Sequence, residues 1–98
     1  MSGQGPLDPA TRTVVADDIE TQTRRTLENL KNVLAAAGAT MAQVVNMRVT
    51  LRDTTHFPAF NTVFAEFMAG EKVTRTCVGG TPHRAGVLVE IDCVAWLG

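Results

Sequence analysis

The chain has 98 residues, 45% of them hydrophobic and 19% charged, with nine Lys+Arg against ten Asp+Glu for a formal net charge of -1. That length suits one domain with one core, and the composition excludes a disordered tail and a membrane span. Near-neutral charge without a basic cluster gives no electrostatic basis for holding a phosphate backbone, so nucleic acid is not an expected partner. Cys77 and Cys93 form no CxxC pair and accompany only His56 and His83. Neither a metal site nor a disulfide framework is indicated, and a reducing, cytoplasmic setting fits best. No charged-then-apolar leader precedes the fold.

Ser2 to Pro9, with two glycines and two prolines, reads as a loop of the kind found in the middle of a domain. From Asp17–Asp18 onward, Ile19, Leu27, Leu30, Leu34 and Ala37 recur at helical spacing. Asp18 suits the N-cap and Gly38 the left-handed C-terminal position, which predicts an amphipathic helix of about five turns. Thr40 followed by Gln43 has the form of a capping box. A strand follows, with Val45, Met47, Val49 and Leu51 expected on one face and Asn46, Arg48, Thr50 and Arg52 on the other.

Thr54 or Thr55 is the expected cap of a second helix, with Pro58 in its first turn, a core stripe of Phe57, Phe60, Phe64 and Phe67, and Gly70 at its end. Asn61 shares that helix but is read as lying off the stripe, a surface or interface group. Two more strands are expected, about residues 72–79 and 87–95, joined by a turn-rich loop at residues 81–86. Gly79–Gly80 reads as a bulge or a close approach of backbones. The order helix, strand, helix, strand, strand predicts an α+β fold with two helices on one face of a mixed or antiparallel sheet. The other face mixes polar and apolar residues, which calls for a covering copy of the chain.

If the last two strands form a hairpin, Val78 faces Val87, Cys77 faces Leu88, and Arg75 lies opposite Glu90. A guanidinium and a carboxylate would then meet on the non-helical face. That pair is either a structural cross-strand ion pair or a site in which Arg75 grips a substrate carboxylate and Glu90 orients water. Cys77 has no histidine placed to activate it and reads as a half-buried thiol, Cys93 as core. His56 and His83 read as solvated.

The runs Ser2-Gly3-Gln4, Pro6-Leu7-Asp8-Pro9, Gln22-Thr23-Arg24 and Leu27-Glu28-Asn29-Leu30 resemble the Rid family (YjgF, RidA), often labelled endoribonuclease L-PSP. The resemblance continues through Phe60-Asn61, Phe64-Ala65-Glu66-Phe67, Arg75-Thr76-Cys77-Val78 and Val89-Glu90-Ile91. It implies a chorismate-mutase-like (ferredoxin-like) α+β domain over residues 1–98, assembled as a homotrimeric barrel with sites between subunits. Against the family pattern, the first strand and most of the second are missing, leaving about four strands with one edge open. The implied activity is cofactor-free hydrolysis of 2-enamino and 2-imino acids to 2-oxo acids and ammonia, with no metal. On this resemblance Arg75 holds the substrate carboxylate, the Cys77 backbone contacts the reacting nitrogen, Glu90 orients water, and Ser2, Gly3 and Asn61 line the pocket. Two other functions stay open: a non-catalytic protein binding small carboxylate metabolites, and an RNase or translation inhibitor, which the charge balance opposes.

Overall fold

The computed structural model describes residues 3–97, so Ser2 lies outside the described residues. Helix α1 spans Ile19–Ala36 and starts where the capping signal places it, the Asp18 carboxylate accepting from the Thr21 N–H at 2.8 Å. Gly38, at φ +81°, ends it. A short turn at Met41–Gln43 follows, its Thr40 N–H donating to Gln43 Oε1 at 2.9 Å. The chain then enters strand β1, Val44–Leu51. Helix α2 spans Phe57–Met68 with Pro58 in its first turn, and ends through left-handed Ala69 and Gly70. Its entry is fixed by Asp53 rather than by either threonine, because the Asp53 carboxylate accepts both the Thr55 N–H and its hydroxyl. Strands β2, Thr74–Gly79, and β3, Val89–Ala95, complete the elements.

Among the described residues the sheet has three strands in the order β2-β1-β3, against the expected four or so. β1 is central, parallel to β2 and antiparallel to β3, so the two last strands form no hairpin. Helix α2 joins β1 to β2, and a strand–helix–strand crossover returns the chain parallel to its start. β3 then runs antiparallel to both but takes the other edge of β1 rather than folding back on β2. The loop after β2 then passes the end of β1, where the Gly80 N–H donates to Leu51 O and the Arg52 N–H to Leu88 O. The close approach read at Gly79–Gly80 is real, since a Cβ on Gly79 would stand 2.8 Å from Thr54 Cγ2 and one on Gly80 3.0 Å from Thr50 Cγ2.

Leu27, Leu30 and Leu34 of α1, with Phe60, Phe64 and Met68 of α2, bury against Met47, Val49, Leu51, Val89, Ile91 and Cys93. One expected position changes. A bulge between Val44 and Asn46 turns Val44 into the core and leaves Val45 48% exposed, because the extra residue of a bulge interrupts the period-two alternation. The opposite sheet face is open, and carries an Arg48–Asp92 ion pair at 3.2 Å and an Asn46–Thr74 hydrogen bond at 2.8 Å. Among the described residues no helix is long and apolar enough to cross a membrane.

Asp18 and Asp53 hold their carboxyls below the ordinary 3.8, Asp18 through the Thr21 N–H and Asp53 through the Thr55 hydroxyl and N–H. A depressed folded pKa contributes stability above the unfolded value and loses it as pH falls through the folded one. Asp18→Asn keeps the cap but not its charge. The Tm gap between this variant and the native chain should narrow as pH falls from about 5 to about 2, measured by thermal melts; a gap that widens on acidification contradicts the cap.

Candidate functional site

Arg75 sits on β2 opposite Met47, and Glu90 sits on β3 opposite Thr50. Met47 is fully buried under the helices, so its partner Arg75 points to the helical face; Thr50 and Glu90 point to the open face. The ion pair expected between them is therefore absent. Two strand spacings and three residues of offset put their α-carbons roughly 14 Å apart, with side chains leaving on opposite sides. Neither has an oppositely charged side-chain partner among the described residues. The candidate residues therefore fall into two separate clusters, each a candidate half-site.

The first is built by α2 against β2. Phe57, Phe60, Asn61 and Phe64 recur at i, i+3, i+4 and i+7, so Asn61 lies on the border of the aromatic stripe rather than away from it. Arg75 lays its guanidinium carbon 4.7 Å from the Phe64 ring centroid, 5.4 Å from Phe57 and 5.7 Å from Phe60. One arginine N–H donates to Asn61 Oδ1 at 2.8 Å. The stripe is thus only partly core: Phe60 is fully buried, while Phe57 is 37% exposed and walls the arginine. A groove of about 480 Å³ opens beside it, its lining including Asn61, Phe64, Met68, Val73 and Arg75, with Glu71 also on its wall. A half-buried guanidinium held by rings and one neutral acceptor keeps its other donors for a planar anion such as a carboxylate.

Cys77 follows Arg75 on the same face of β2, half-buried as expected. Burial pushes its thiol up, and the Arg75 charge only partly offsets this. It is no activated nucleophile. The edge position of β2 leaves alternate backbone groups without a ladder partner, so the strand rather than the thiol is what this residue offers. His83 is exposed, whereas His56 is half-buried at the start of α2 with a buried Nδ1 that has no hydrogen-bond partner among the described residues. Among the described residues no group of three or more His, Cys, Asp or Glu could hold a metal ion.

The second half-site is at the other edge of the sheet. The Gln4 N–H donates to Ile91 O at 2.7 Å and the Ile91 N–H to Gln4 O at 2.9 Å, laying the N-terminal segment along β3. That brings Gly3 against the Glu90 carboxylate so closely that a Cβ there would stand 2.6 Å from Oε1. The Gly3–Glu90 juxtaposition is therefore real in the chain, as is Arg75 with Asn61. The two assemblies lie apart because β1 stands between β2 and β3, and residue order leaves this open, since a strand antiparallel to β2 can pair with β2 or with β1.

The comparisons with known proteins agree with this architecture. Residues 1–97 match the endoribonuclease L-PSP family. The chain belongs to that family. A RutC family protein of Pyrococcus horikoshii is 38% identical over 96 residues, which cover 98% of this chain and 76% of the relative. Among solved structures, Escherichia coli TdcF with bound serine superposes with a TM-score of 0.89 at 33% identity, over 97% of this chain and 75% of that one. The YjgF gene product of E. coli gives 0.91 at 29% identity, over all of this chain and 79% of that one. The α+β fold expected from the resemblance is thus the family's fold.

The thiol environment gives a direct check on the first half-site. Cys77 should alkylate with iodoacetamide more slowly than a free cysteine at about pH 8 and accelerate only as the pH passes its raised pKa, while buried Cys93 stays protected. Faster labelling of Cys77 than of free cysteine, followed by peptide mass mapping, would contradict the packing described.

Proposed function

We propose that this L-PSP family member hydrolyses 2-imino acids, and the 2-enamino acids in equilibrium with them, to 2-oxo acids and ammonia. Arg75 carries the reading: a half-buried guanidinium between aromatic rings, oriented by Asn61, with free donors facing a groove of about 480 Å³. In the proposed reaction Arg75 holds the carboxylate and Glu90 takes a proton from water as its oxygen bonds to the electrophilic imine carbon. Glu90 returns that proton to nitrogen, the carbon–nitrogen bond of the resulting carbinolamine breaks, and ammonia leaves as the hydroxyl gives its proton back to the Glu90 carboxylate or to water and the carbonyl forms. The overall change is redox-neutral, and it asks the protein mainly to position water and move a proton. The backbone of Cys77, Gly3 and Ser2 are assigned to the pocket by family correspondence.

Because Arg75 and Glu90 leave opposite faces of one sheet, the proposed site is closed by two copies, Arg75 and Asn61 from one and Gly3 and Glu90 from its neighbour. A homotrimer with its open sheet faces inward supplies such a heterologous interface, repeated three times. It also covers the face that carries exposed Val78 and Val94. A second reading has its own support. The Arg75 half-site is complete within one chain, so it could take a carboxylate metabolite without turning it over; TdcF, a relative, binds serine.

The test generates 2-iminobutanoate in place with a threonine dehydratase and traps surviving imine with semicarbazide. The native chain should reduce the semicarbazone yield, and Arg75→Ala and Glu90→Gln should each lose that effect by at least about tenfold. Mixing Arg75→Ala with Glu90→Gln subunits and re-assembling them should restore about a quarter of native activity, the fraction of interfaces that pair one intact half-site with the other. No reduction by the native chain overturns the deaminase, and no recovery on mixing overturns the shared site. Protection against heat by 2-oxobutanoate that needs Arg75, without turnover, establishes the binding protein instead.

A further inference from the structure

Helix α1 presents polar side chains to the interior where an amphipathic helix should present apolar ones. Gln22 and Thr26 are fully buried and Asn29 is 9% exposed, at i, i+4 and i+7 along one face. Buried amides are retained where their hydrogen bonds have specific partners, and both of these amides bond to backbone outside the helix. Gln22 Nε2 donates to Ala16 O and Gly86 O, each at 2.8 Å, and Gln22 Oε1 accepts from the Leu88 N–H at 2.7 Å. The Gly86 carbonyl and Leu88 N–H flank Val87 as the pair that a parallel neighbouring strand would engage. The Gln22 side chain stands in for that strand just before β3 begins.

Asn29, about 10 Å further along the helix axis, donates from Nδ2 to Gly5 O at 2.9 Å and to Leu7 O at 2.8 Å. Its Oδ1 is buried with no partner among the described residues. The amide is therefore there for its two donors, which hold the N-terminal segment in place. Thr26, between the two, turns its hydroxyl back onto Gln22 O at 2.7 Å, closing the seam.

The two clamped segments are the two that define the Glu90 half-site. Leu88, held by Gln22, is two residues before Glu90. Gly5, held by Asn29, directly follows Gln4, which pairs with Ile91 and places Gly3 against Glu90 Oε1. We infer that Gln22 and Asn29 are positioning residues for the Glu90 carboxylate, fixing the backbone on both sides of it from one helix face. The catalytic part of this inference rests on the deaminase reading above; the structural part does not.

Asn29→Ala is the informative variant, because it removes two donors without adding volume or charge. A control of a different kind is Leu34→Ala, which weakens the same helix through its apolar face, away from the seam. Amide hydrogen exchange followed by NMR should show Asn29→Ala speeding exchange at Gln4 and Ile91 at least about tenfold relative to Gly80, whose amide bonds at the far side of the sheet. Leu34→Ala should change all three amides together. In the imine assay Asn29→Ala should lower kcat about tenfold with KM within about twofold, since the Arg75 half-site is untouched. Asn29→Gln, with the same donor group on a longer stem, should recover part of the loss. Uniform exchange changes in Asn29→Ala, or a KM rise with unchanged kcat, overturn the inference. If the native chain has no turnover, the deaminase reading fails while the exchange pattern still decides the positioning role.

Discussion

β1 is hydrogen-bonded along both of its edges, and the separation of the chemical groups follows from that. A central strand imposes two spacings between whatever its neighbours carry, and period-two alternation then fixes the face of every side chain. Arg75, registered with buried Met47, is committed to the helical face; Glu90, registered with Thr50, is committed to the open one. No rotamer of either residue can undo this, because moving one of them to the other face would need a one-residue slip of its strand, which carries Cys77 or Ile91 off the core face. Core burial and site division are thus the same constraint seen from two sides.

Much of the architecture was legible in residue order. Asp18, Gly38, Pro58 and Gly70 mark helix ends through local chemistry that tertiary packing leaves alone, and the leucines of α1 and phenylalanines of α2 mark the buried stripes. The residues of the proposed site could be named from the sequence, but their geometry could not. Arg75 and Glu90 lie on consecutive strands with a turn-rich loop between them, which favours a hairpin when only the two strands are considered. The helix that joins β1 to β2 makes those strands parallel, which leaves β3 able to pair antiparallel with either, and only the fold shows that it takes β1. Val44 and Val45 show the same limit at smaller scale, since either valine can begin the buried alternation and only the pairing partner decides between them. Residue type was silent about Gln22 and Asn29: an amide in a leucine-rich helix reads as a surface group until the carbonyls it meets are known.

Four of the eight basic side chains outside the two half-sites have partners among the described residues. Arg24 and Arg48 pair with Glu66 and Asp92, Arg25 pairs with Glu28, and Arg52 donates to the Val87 and Arg84 carbonyls. Such exposed pairs contribute little to stability, but they remove basic side chains from the pool that could track a phosphate backbone. Arg75 differs in being surrounded by aromatic rings and a neutral amide. An enclosed guanidinium of this kind discriminates by shape, favouring a small planar anion over a polymer that needs a continuous basic surface. The proposed function follows this charge placement rather than the family's ribonuclease label, and assigns Arg75 a small carboxylate.

The two half-sites also differ in how they are held. Arg75 is oriented within one helix–strand contact, by groups that the core already requires to be in place, so it costs the fold almost nothing extra to keep it ready. Glu90 stands at the meeting of two segments that have no core of their own, the stretch before β3 and the N-terminal run. Backbone there must find partners for its carbonyls and N–H groups without a neighbouring strand to provide them. Buried amides on α1 solve both needs at once, by satisfying the backbone and by setting its distance from the sheet. A carboxylate that must aim water within a few tenths of an ångström gains from such rigidity, whereas a carboxylate-binding arginine tolerates the adjustment its flexible stem allows. The polar seam thus belongs with the half-site whose chemistry is the more demanding of position.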